Sequence, residues 1–402
     1  MKSSRNKLKK LGLEHKISLV LLVISLMLTG YILGTNRENL GNTLTSPWSK
    51  PETVSVQAFK KIFPEKSFTL INVHTPYEGE IPGTDGFIPY DEIPSNSGVL
   101  PEDKNAEIIL YCKTGRMSEE AVGTVKKLGY TNVRHLKGGM DAWTKIGGTL
   151  LRLNTLEQEV VPEAGIELPI AWGDLGPKLI ARGVIDLEKF KQAVTLTPEQ
   201  DEILTSGSSN PIVINKQNSQ FVVDLLWAIG LAQKSIVYDQ GPMGTEYKDR
   251  VGSFASTGGW TLARGDATQY LNRSDLIPLT ADEQSRVADI SKNVYRPCCG
   301  NSTWFPDCNH GMAALAAIEL MVSAGLSDQT IYRNVLALNS FWFPDSYLTV
   351  ATFFARAGTP WKDVDPKLLL GPLYSSGQGA AEIAKKVGPL PFGNKSAGGC
   401  GA

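Results

Sequence analysis

The sequence predicts a membrane-anchored protein with two folded regions, an α/β domain built on a parallel sheet and a mostly α-helical domain after it. Three observations predict this arrangement. An uncharged stretch follows a basic N-terminus, apolar strands alternate with helical patterns as far as residue 150, and helical patterns dominate beyond that point. Strands that are separated by helices form parallel sheets covered on both faces. The chain of 402 residues is long enough for both domains.

The N-terminus combines positive charge with apolar length. Residues 1–16 carry six Lys or Arg residues against one acid, Glu14, and residues 17–34 carry no charge. At about 1.5 Å per residue, this stretch nearly spans a hydrocarbon core of roughly 30 Å. The basic flank places the N-terminus in the cytoplasm and the following domains outside it, as a single-pass protein of the cell membrane. A cleaved signal peptide is the alternative.

Composition sets the remaining domain boundaries. Residues 1–36 form the basic segment and anchor, and residues 37–50 are polar and turn-rich, which is typical of a linker. The α/β domain takes residues 51–150, the mostly helical domain 151–390, and a Gly-rich tail 391–402. The net charge of −1 provides no field that would attract nucleic acid, so no nucleic-acid partner is expected.

The predicted sheet positions one cysteine. Apolar runs at 68–73 and 107–112 and the segment "NVRHLKGG" predict three strands, and "SEEAVGTVKKLG" predicts a helix between the second and the third. Ligands of such sheets bind at the carboxyl ends of the strands. Cys112 lies at such an end, within the stretch "YCKTGRMS".

The loop around Cys112 favours a thiolate, which is the nucleophilic form of cysteine. A helix N-terminus near Ser118 carries partial positive charge, and Lys113 and Arg116 add full charges. Successive loop amides can form an anion-binding nest, and Gly115 permits the required turn. The alternative is that Cys112 is a small buried residue without chemistry.

Three motifs extend this pattern. "CKTGRMS" is followed by "GYTNVRHLKGGMDAW", and Ile81, Pro82 and Gly83 precede both. Over residues 51–150 the chain resembles the rhodanese-like sulfurtransferase domain, whose loop commonly has a Cys-(Arg/Lys)-x-Gly-x-x-Ser pattern. One departure is Asn72-Val73-His74, where many rhodaneses have Asp-Val-Arg.

The resemblance implies a sulfurtransferase that works by double displacement. Cys112 would take sulfane sulfur from a small anion such as thiosulfate or polysulfide and pass it to a thiol acceptor or cyanide, without a cofactor. A cysteine phosphatase is disfavoured, because the arginine is at the fourth position after the cysteine instead of the fifth. The residues expected to bind the substrate are Lys113, Thr114, Gly115, Arg116, Met117 and Ser118.

A second group of cysteines follows in the helical domain. "CCGNSTWFPDCNH" places Cys298, Cys299 and Cys308 near Asp307 and His310. Three thiols and an imidazole can hold zinc or copper, although this spacing is not a common zinc signature. A disulfide to Cys308 and a reactive thiol site that receives sulfur from Cys112 are the alternatives, and Asp307 could instead cap a helix.

The tail and the overall function leave two further hypotheses. Cys400 lies between glycines in "SAGGCGA", so a mobile arm could carry it to Cys112 as a sulfur acceptor. The first functional hypothesis is the sulfurtransferase. The second is a non-catalytic rhodanese-like scaffold that presents the Cys/His domain for metal or thiol binding, in which Cys112 would be dispensable.

Overall fold

The computed structural model describes residues 52–391 and begins with an α/β domain. Its five strands are β1 (Thr53–Val54), β2 (Thr69–Asn72), β3 (Gly86–Phe87), β4 (Ile108–Tyr111) and β5 (Val133–Leu136). Its helices are α1 (Val56–Ile62), α2 (Arg116–Lys127) and α3 (Gly139–Lys145), with short 3-10 helices at Phe63–Glu65 and Ser97–Val99. The strands are all parallel, in the order β1-β5-β4-β2-β3, which confirms the predicted α/β sheet.

The central strand β4 is buried along its whole length. Helices cover both faces of the sheet, which is why the strand is a continuous apolar run in the sequence. Side chains alternate between the faces. Ile108, Leu110 and Cys112 join the core that contains α2, whereas Ile109 and Tyr111 join the core that contains α1 and α3. The Cys112 side chain is therefore directed towards the α2 face.

The region after residue 150 is mostly helical, as predicted, but it also contains two strands that pair antiparallel, β6 (Ile166–Gly173) and β7 (Ser208–Ile214). One core, running from Leu153 to Val387, unites the region. Its first helices are α4 (Leu153–Val160), α5 (Leu175–Arg182), α6 (Leu187–Ala193), α7 (Pro198–Thr205), α8 (Ser219–Ala232) and α9 (Ile236–Gln240). The later ones are α10 (Ala281–Ser291), α11 (Asn309–Ser323), α12 (Asp328–Trp342), α13 (Pro344–Arg356), α14 (Pro366–Leu370), α15 (Pro372–Ser375) and α16 (Gly377–Val387). Short 3-10 helices lie at Lys248–Ser253, Ala267–Gln269 and Trp361–Asp363.

A buried ion pair joins the α/β domain to the helical region, and residues 53–391 fall within one compact unit. Arg356, at the end of α13, donates from Nε to Oε1 of Glu80 over 2.8 Å and from Nη2 to Oε2 over 3.1 Å. The same guanidinium donates to the carbonyl of Val387 over 2.7 Å, and the Arg356 carbonyl accepts from the amide of Gly83 over 2.9 Å. These bonds fix the loop after β2 against α13 and α16.

The predicted membrane anchor is the part of the fold that requires correction. Within residues 52–391, no helix is long and apolar enough to cross a membrane. The predicted span, residues 17–34, lies outside the described residues, as do the linker 37–50 and the end of the tail. The fold class that the structure supports is therefore an α/β domain with a mostly helical C-terminal region, and the single-pass localisation is not retained.

Candidate active site

Cys112 follows the last residue of β4 and opens a short loop that leads directly into α2. Its side chain is 1% exposed. Gly115 precedes the first residue of the helix and has a φ of 99°. That left-handed conformation is accessible to glycine at little cost. The glycine therefore lets the chain turn from the strand into the helix within three residues of the sulfur.

Two polar groups contact the sulfur of Cys112. The amide of Gly115 donates to Sγ over 3.1 Å, and Oγ of Ser118, in the first turn of α2, lies 3.6 Å from Sγ. Ser118 Oγ also lies 3.0 Å from the carbonyl of Gly115. A hydroxyl has one hydrogen and rotates to suit its neighbours, so Ser118 can turn that hydrogen towards a negatively charged sulfur. The loop thus provides donors where an anionic sulfur would lie.

His135 extends this contact to the neighbouring strand. Its Nδ1 lies 3.4 Å from Oγ of Ser118, and its Nε2 lies 3.1 Å from Oγ1 of Thr53 on β1. Sequence reasoning missed His135 because it is separated from the loop along the chain and only the pairing of β4 with β5 brings it close. The imidazole therefore lies within reach of the hydroxyl that contacts the sulfur.

The two predicted cations are paired with carboxylates. Lys113 forms an ion pair with Glu78, which also lies 3.4 Å from Nε2 of His74. Hydrogen bonding to Lys113, followed by that to His74, lowers the pKa of Glu78, and the same carboxylate raises the pKa of Lys113. Arg116 is exposed and lies 3.6 Å from Glu120. The charge of Lys113 is therefore partly neutralised, and sequence reasoning missed Glu78.

The remaining predicted loop residues occupy different positions. The guanidinium of Arg116 also lies 5.8 Å from the ring centre of Tyr90. Met117 is half-buried against the core beneath α2, and Thr114 is exposed. Met117 therefore supports the loop from inside, whereas Thr114 faces solvent.

A second glycine-rich loop supports the cysteine loop from the side. The amide of Met140 donates to the carbonyl of Cys112 over 2.9 Å, and the amide of Asp141 donates to the carbonyl of Lys113 over 3.0 Å. A Cβ at Gly139 would lie 2.0 Å from the Cys112 carbonyl oxygen, and Gly139 has a φ of 54°. Only glycine fits this close approach without displacement of the loop. The motif "KGGMDAW" therefore fixes the backbone of the cysteine.

Asn72 replaces the usual acid at the end of β2 and is fully buried. Its Nδ2 donates to the carbonyl of Gly79 over 3.0 Å, and its Oδ1 accepts from the amide of His74 over 3.0 Å. A neutral amide satisfies both backbone groups without a buried charge. The departure from the common family pattern therefore leaves the loop ordered.

The cysteines of the helical region come together at the start of α11. The sulfur atoms of Cys298, Cys299 and Cys308 lie within 4.8 Å of one another, and those of Cys298 and Cys308 are 3.7 Å apart. All three are free cysteines in this structure. Cys308 caps α11 through a hydrogen bond from the amide of Gly311, so the cap is Cys308 and not Asp307. These three residues could hold a metal ion.

The guanidinium of Arg296 contacts two of the three sulfur atoms in this cluster. Its side chain is fully buried, and Nη2 donates to Sγ of Cys299 over 3.1 Å, to Sγ of Cys308 over 3.4 Å and to Oδ1 of Asp307 over 3.2 Å. Hydrogen bonds from Cys298 and Cys299, together with the charge of Arg296, hold the pKa of Cys308 well below its usual range. The hydrogen bond with Cys299 raises the pKa of Cys298.

His310 is not part of the group of converging ligand atoms. Its ring packs against Phe343 at 4.5 Å and Trp342 at 5.6 Å between ring centres. Burial lowers its pKa to about 4, so the imidazole is neutral at pH 7. The structure therefore assembles three of the four predicted metal ligands. The remaining predicted residue, Cys400, lies outside the described residues.

The parallel sheet and the cysteine loop at the carboxyl end of its central strand define a class of α/β domain. Comparison with known sequences identifies the family to which this domain belongs. The rhodanese-like domain family matches residues 55–146. The chain belongs to the rhodanese-like family through these residues, as predicted.

Three similar proteins illustrate the extent of the match. A probable adenylyltransferase/sulfurtransferase, MoeZ, of Mycobacterium tuberculosis is 44% identical over 84 residues, which are 20% of this chain and 21% of that protein. A sulfurtransferase of Allochromatium vinosum is 32% identical over 81 residues, which are 19% of this chain and 73% of that one. The solution structure of the rhodanese-like domain of the Anabaena protein Alr3790 is 26% identical, covers 25% of this chain and 79% of its own, and has a TM-score of 0.23. The chain thus spans about a fifth of the length of MoeZ.

Proposed function

We propose that the protein is a sulfurtransferase that carries sulfane sulfur as a persulfide on Cys112. The observation that carries this proposal is the 3.1 Å hydrogen bond from the amide of Gly115 to Sγ, at the start of α2. Backbone amides at a helix N-terminus favour an anion. The similar proteins of Mycobacterium tuberculosis and Allochromatium vinosum are named as a probable adenylyltransferase/sulfurtransferase and a sulfurtransferase, which supports the same reaction class.

The reaction consists of two displacements on sulfur. The Cys112 thiolate attacks the outer sulfur of thiosulfate, so that an Sγ–S bond forms, the S–S bond of thiosulfate breaks, and sulfite leaves with the electron pair. An acceptor then attacks the outer sulfur of the persulfide and regenerates the thiolate. With cyanide as acceptor the product is thiocyanate, and with a thiolate it is a new persulfide. The negative charge stays on sulfur near the Gly115 amide and the Ser118 hydroxyl throughout.

The buried position of Cys112 gives the proposal a structural requirement. Its side chain is 1% exposed, so a donor reaches the sulfur only if the small anion enters the loop itself. Lys113 lies at this loop with 42% of its side chain exposed and is paired with Glu78. We expect Lys113 to attract small anionic donors, with an effect that Glu78 reduces.

The proposal is tested by the rate of thiocyanate formation from thiosulfate and cyanide. We expect Cys112→Ser in the full chain to reduce this rate to that of the uncatalysed reaction, because serine has no thiol and cannot form a persulfide. Cys299→Ser, which removes a thiol from the other cluster, should retain the rate. A Cys112→Ser protein with the wild-type rate would contradict the proposal and favour the non-catalytic scaffold.

A further inference from the structure

The three cysteines near α11 lie in and beside a hydrogen-bonded loop outside the sheet domain. The amide of Cys299 donates to the carbonyl of Arg296 over 3.3 Å, and the carbonyl of Cys299 accepts from the amide of Gly377 over 2.7 Å. Asn301 donates to Oδ2 of Asp307 over 2.8 Å, which ties the two arms of the loop together. The loop that brings the sulfur atoms together is therefore held by backbone hydrogen bonds and by the pair of Asn301 and Asp307.

The distances between the sulfur atoms match those around one metal ion. At a Zn–S distance of about 2.3 Å, two ligands of a tetrahedral ion lie about 3.8 Å apart. The sulfur atoms of Cys298 and Cys308 are 3.7 Å apart, and the third sulfur is within 4.8 Å of both. Small side-chain rotations would bring Cys299 to the same separation.

Arg296 supplies an unusual buried charge beside these sulfur atoms. Its side chain has no exposed surface, and Nε and Nη1 have no hydrogen-bond partner within residues 52–391. A buried charge of this kind is costly unless an anion compensates it. Asp307 is one partner, but it lies at 22% exposure and is shared with Asn301. The sulfur cluster is a further place for compensating negative charge, since Nη2 contacts Sγ of Cys299 and of Cys308.

We propose that Cys298, Cys299 and Cys308 bind one thiophilic metal ion with a filled d shell, such as Cu(I), Zn(II) or Cd(II), and that Arg296 neutralises the resulting complex. Three thiolates around a divalent ion carry one net negative charge, and two thiolates with one protonated thiol around a monovalent ion carry the same charge. The guanidinium of Arg296 balances that charge in either case. Sulfur ligands select soft ions over Mg²⁺ and Ca²⁺, which prefer oxygen.

This site is separate from the Cys112 loop. Gly377, which bonds to Cys299, begins α16, and the other end of that helix bonds through the carbonyl of Val387 to Arg356, the residue that contacts the sheet domain. The helix has 11 residues. At 1.5 Å per residue it separates the cluster from that contact by roughly 16 Å. Because the two sites also use different residues, we expect metal binding and sulfur loading to be lost in different variants.

The test is an anaerobic titration of the reduced full chain with Cd²⁺, followed by the ultraviolet charge-transfer band of cadmium thiolates and by competition with a chelator. We expect one ion per chain, with protons released as the thiols bind. Cys298→Ser and Cys308→Ser should each weaken binding about a hundredfold or more. Cys112→Ser is the matched control and should bind as the wild type does. Mg²⁺ should produce no band.

The role of Arg296 in metal binding is tested by filling the space that Gly311 leaves beside its guanidinium. A Cβ at Gly311 would lie 2.6 Å from Nη2, so Gly311→Ala displaces the guanidinium while all three thiols remain. We expect it, like Arg296→Gln, to weaken Cd²⁺ binding roughly tenfold to a hundredfold. Far-ultraviolet circular dichroism confirms that each variant is folded. If an unfolded variant is obtained, the cysteine variants and the wild-type stoichiometry decide the question.

Three results would overturn the proposal. The first is that reduced wild-type protein shows no charge-transfer band, and the second is that the band is lost in Cys112→Ser. The third is that Cys298 and Cys308 form a disulfide even in reductant, seen as a loss of two hydrogens in the intact mass. None of these results bears on sulfur loading at Cys112, so the site and the proposed function are tested separately.

Discussion

The amide of Gly115 donates to the sulfur of Cys112 over 3.1 Å, at the junction between the central strand and the first turn of α2. The bond exists because two loops meet there. Gly115 turns the cysteine loop with a positive φ, and Gly139 lets the neighbouring loop bond to the carbonyl of Cys112. The position of the sulfur is therefore a property of the backbone, which side-chain substitutions nearby change only in part.

Gly139→Ala should disrupt the site through this backbone contact. The added Cβ would lie 2.0 Å from the Cys112 carbonyl oxygen, at a left-handed φ. We expect a loss of about 2 kcal/mol or more in the free energy of unfolding, measured in urea, and a large loss of sulfur transfer. Gly123→Ala is the control, since its Cβ would meet no atom within 4 Å in the middle of α2. It should stabilise the protein by about 0.5–1 kcal/mol. Equal effects of the two variants would contradict the account.

Ser118→Ala should slow sulfur transfer and leave the fold intact. The variant removes the hydroxyl that lies 3.6 Å from Sγ and 3.4 Å from Nδ1 of His135. Loss of one hydrogen bond to an anion predicts a decrease in kcat of about tenfold, or roughly 1.4 kcal/mol. The measurement is kcat for thiocyanate formation, with Ser118→Thr as the variant that retains the hydroxyl. A normal kcat in Ser118→Ala would show that the hydroxyl does not contact the reacting sulfur.

Glu78→Gln should increase the apparent affinity for thiosulfate. The substitution frees Lys113 from its ion pair while it keeps the size of the side chain. We expect KM for thiosulfate to fall several-fold at low ionic strength and to return to the wild-type value at high salt, because salt screens exposed charges. Lys113→Gln should raise KM instead. A KM that is independent of both residues would remove Lys113 from the binding site.

The Glu80–Arg356 pair should hold the two regions together. Arg356→Leu would leave the buried carboxylate of Glu80 without its positively charged partner, since Glu80 has no exposed surface. Breaking one side of a buried pair costs about 3–5 kcal/mol, measured as the free energy of unfolding. Replacing both residues, as in Glu80→Gln with Arg356→Leu, should recover part of that loss. A double variant less stable than the single one would argue against a pairwise interaction.

The buried carboxyl group of Glu319 should contribute a decrease in stability as the pH rises from about 4.5 to 8. Glu319, on α11, has no exposed surface, and burial raises its pKa to about 8. Between its unfolded and folded pKa values the native state holds a proton that the unfolded state has released, so unfolding becomes easier as the pH rises. Asp224, with a pKa raised by burial to about 7, acts in the same direction.

Glu319→Gln tests this dependence, since the amide cannot ionise. We expect the variant to match the wild type near pH 4.5 and to exceed its free energy of unfolding by roughly 4 kcal/mol at pH 8. Denaturant titrations at both pH values measure the difference. If the difference between the variant and the wild type does not change with pH, the carboxyl is not protonated in the native state.

The parts of this molecule that the sequence predicts are local. The Cys112 loop needs only an apolar strand, a glycine and a helix start within ten residues, and all of these are adjacent in the chain. His135 and Glu78 could not be predicted, because strand pairing and loop packing bring them to the loop from distant positions. For the same reason the sequence did not reveal that the charge of Lys113 is paired with Glu78.

In the helical region, too, the sequence reveals local features but not contacts between distant residues. One strand could nevertheless have been predicted from its local pattern. The strand β6 carries an alternating pattern, with Leu168, Ile170 and Trp172 buried, that could have been recognised. Pro169 lies within this strand, and proline is tolerated there because both strands of a two-stranded sheet are edges. The convergence of Cys298, Cys299 and Cys308 depends on hydrogen bonds that fold the loop before α11, and the spacing of the cysteines does not reveal these bonds.

The most direct test of the central claim is the intact mass of the full chain after incubation with thiosulfate and removal of excess donor. The account predicts a gain of one sulfur atom in the wild type and in Cys299→Ser, reversed by cyanide, and no gain in Cys112→Ser. A gain that persists in Cys112→Ser, or no gain in the wild type with thiosulfate or polysulfide, would contradict the assignment of Cys112 as the sulfur carrier.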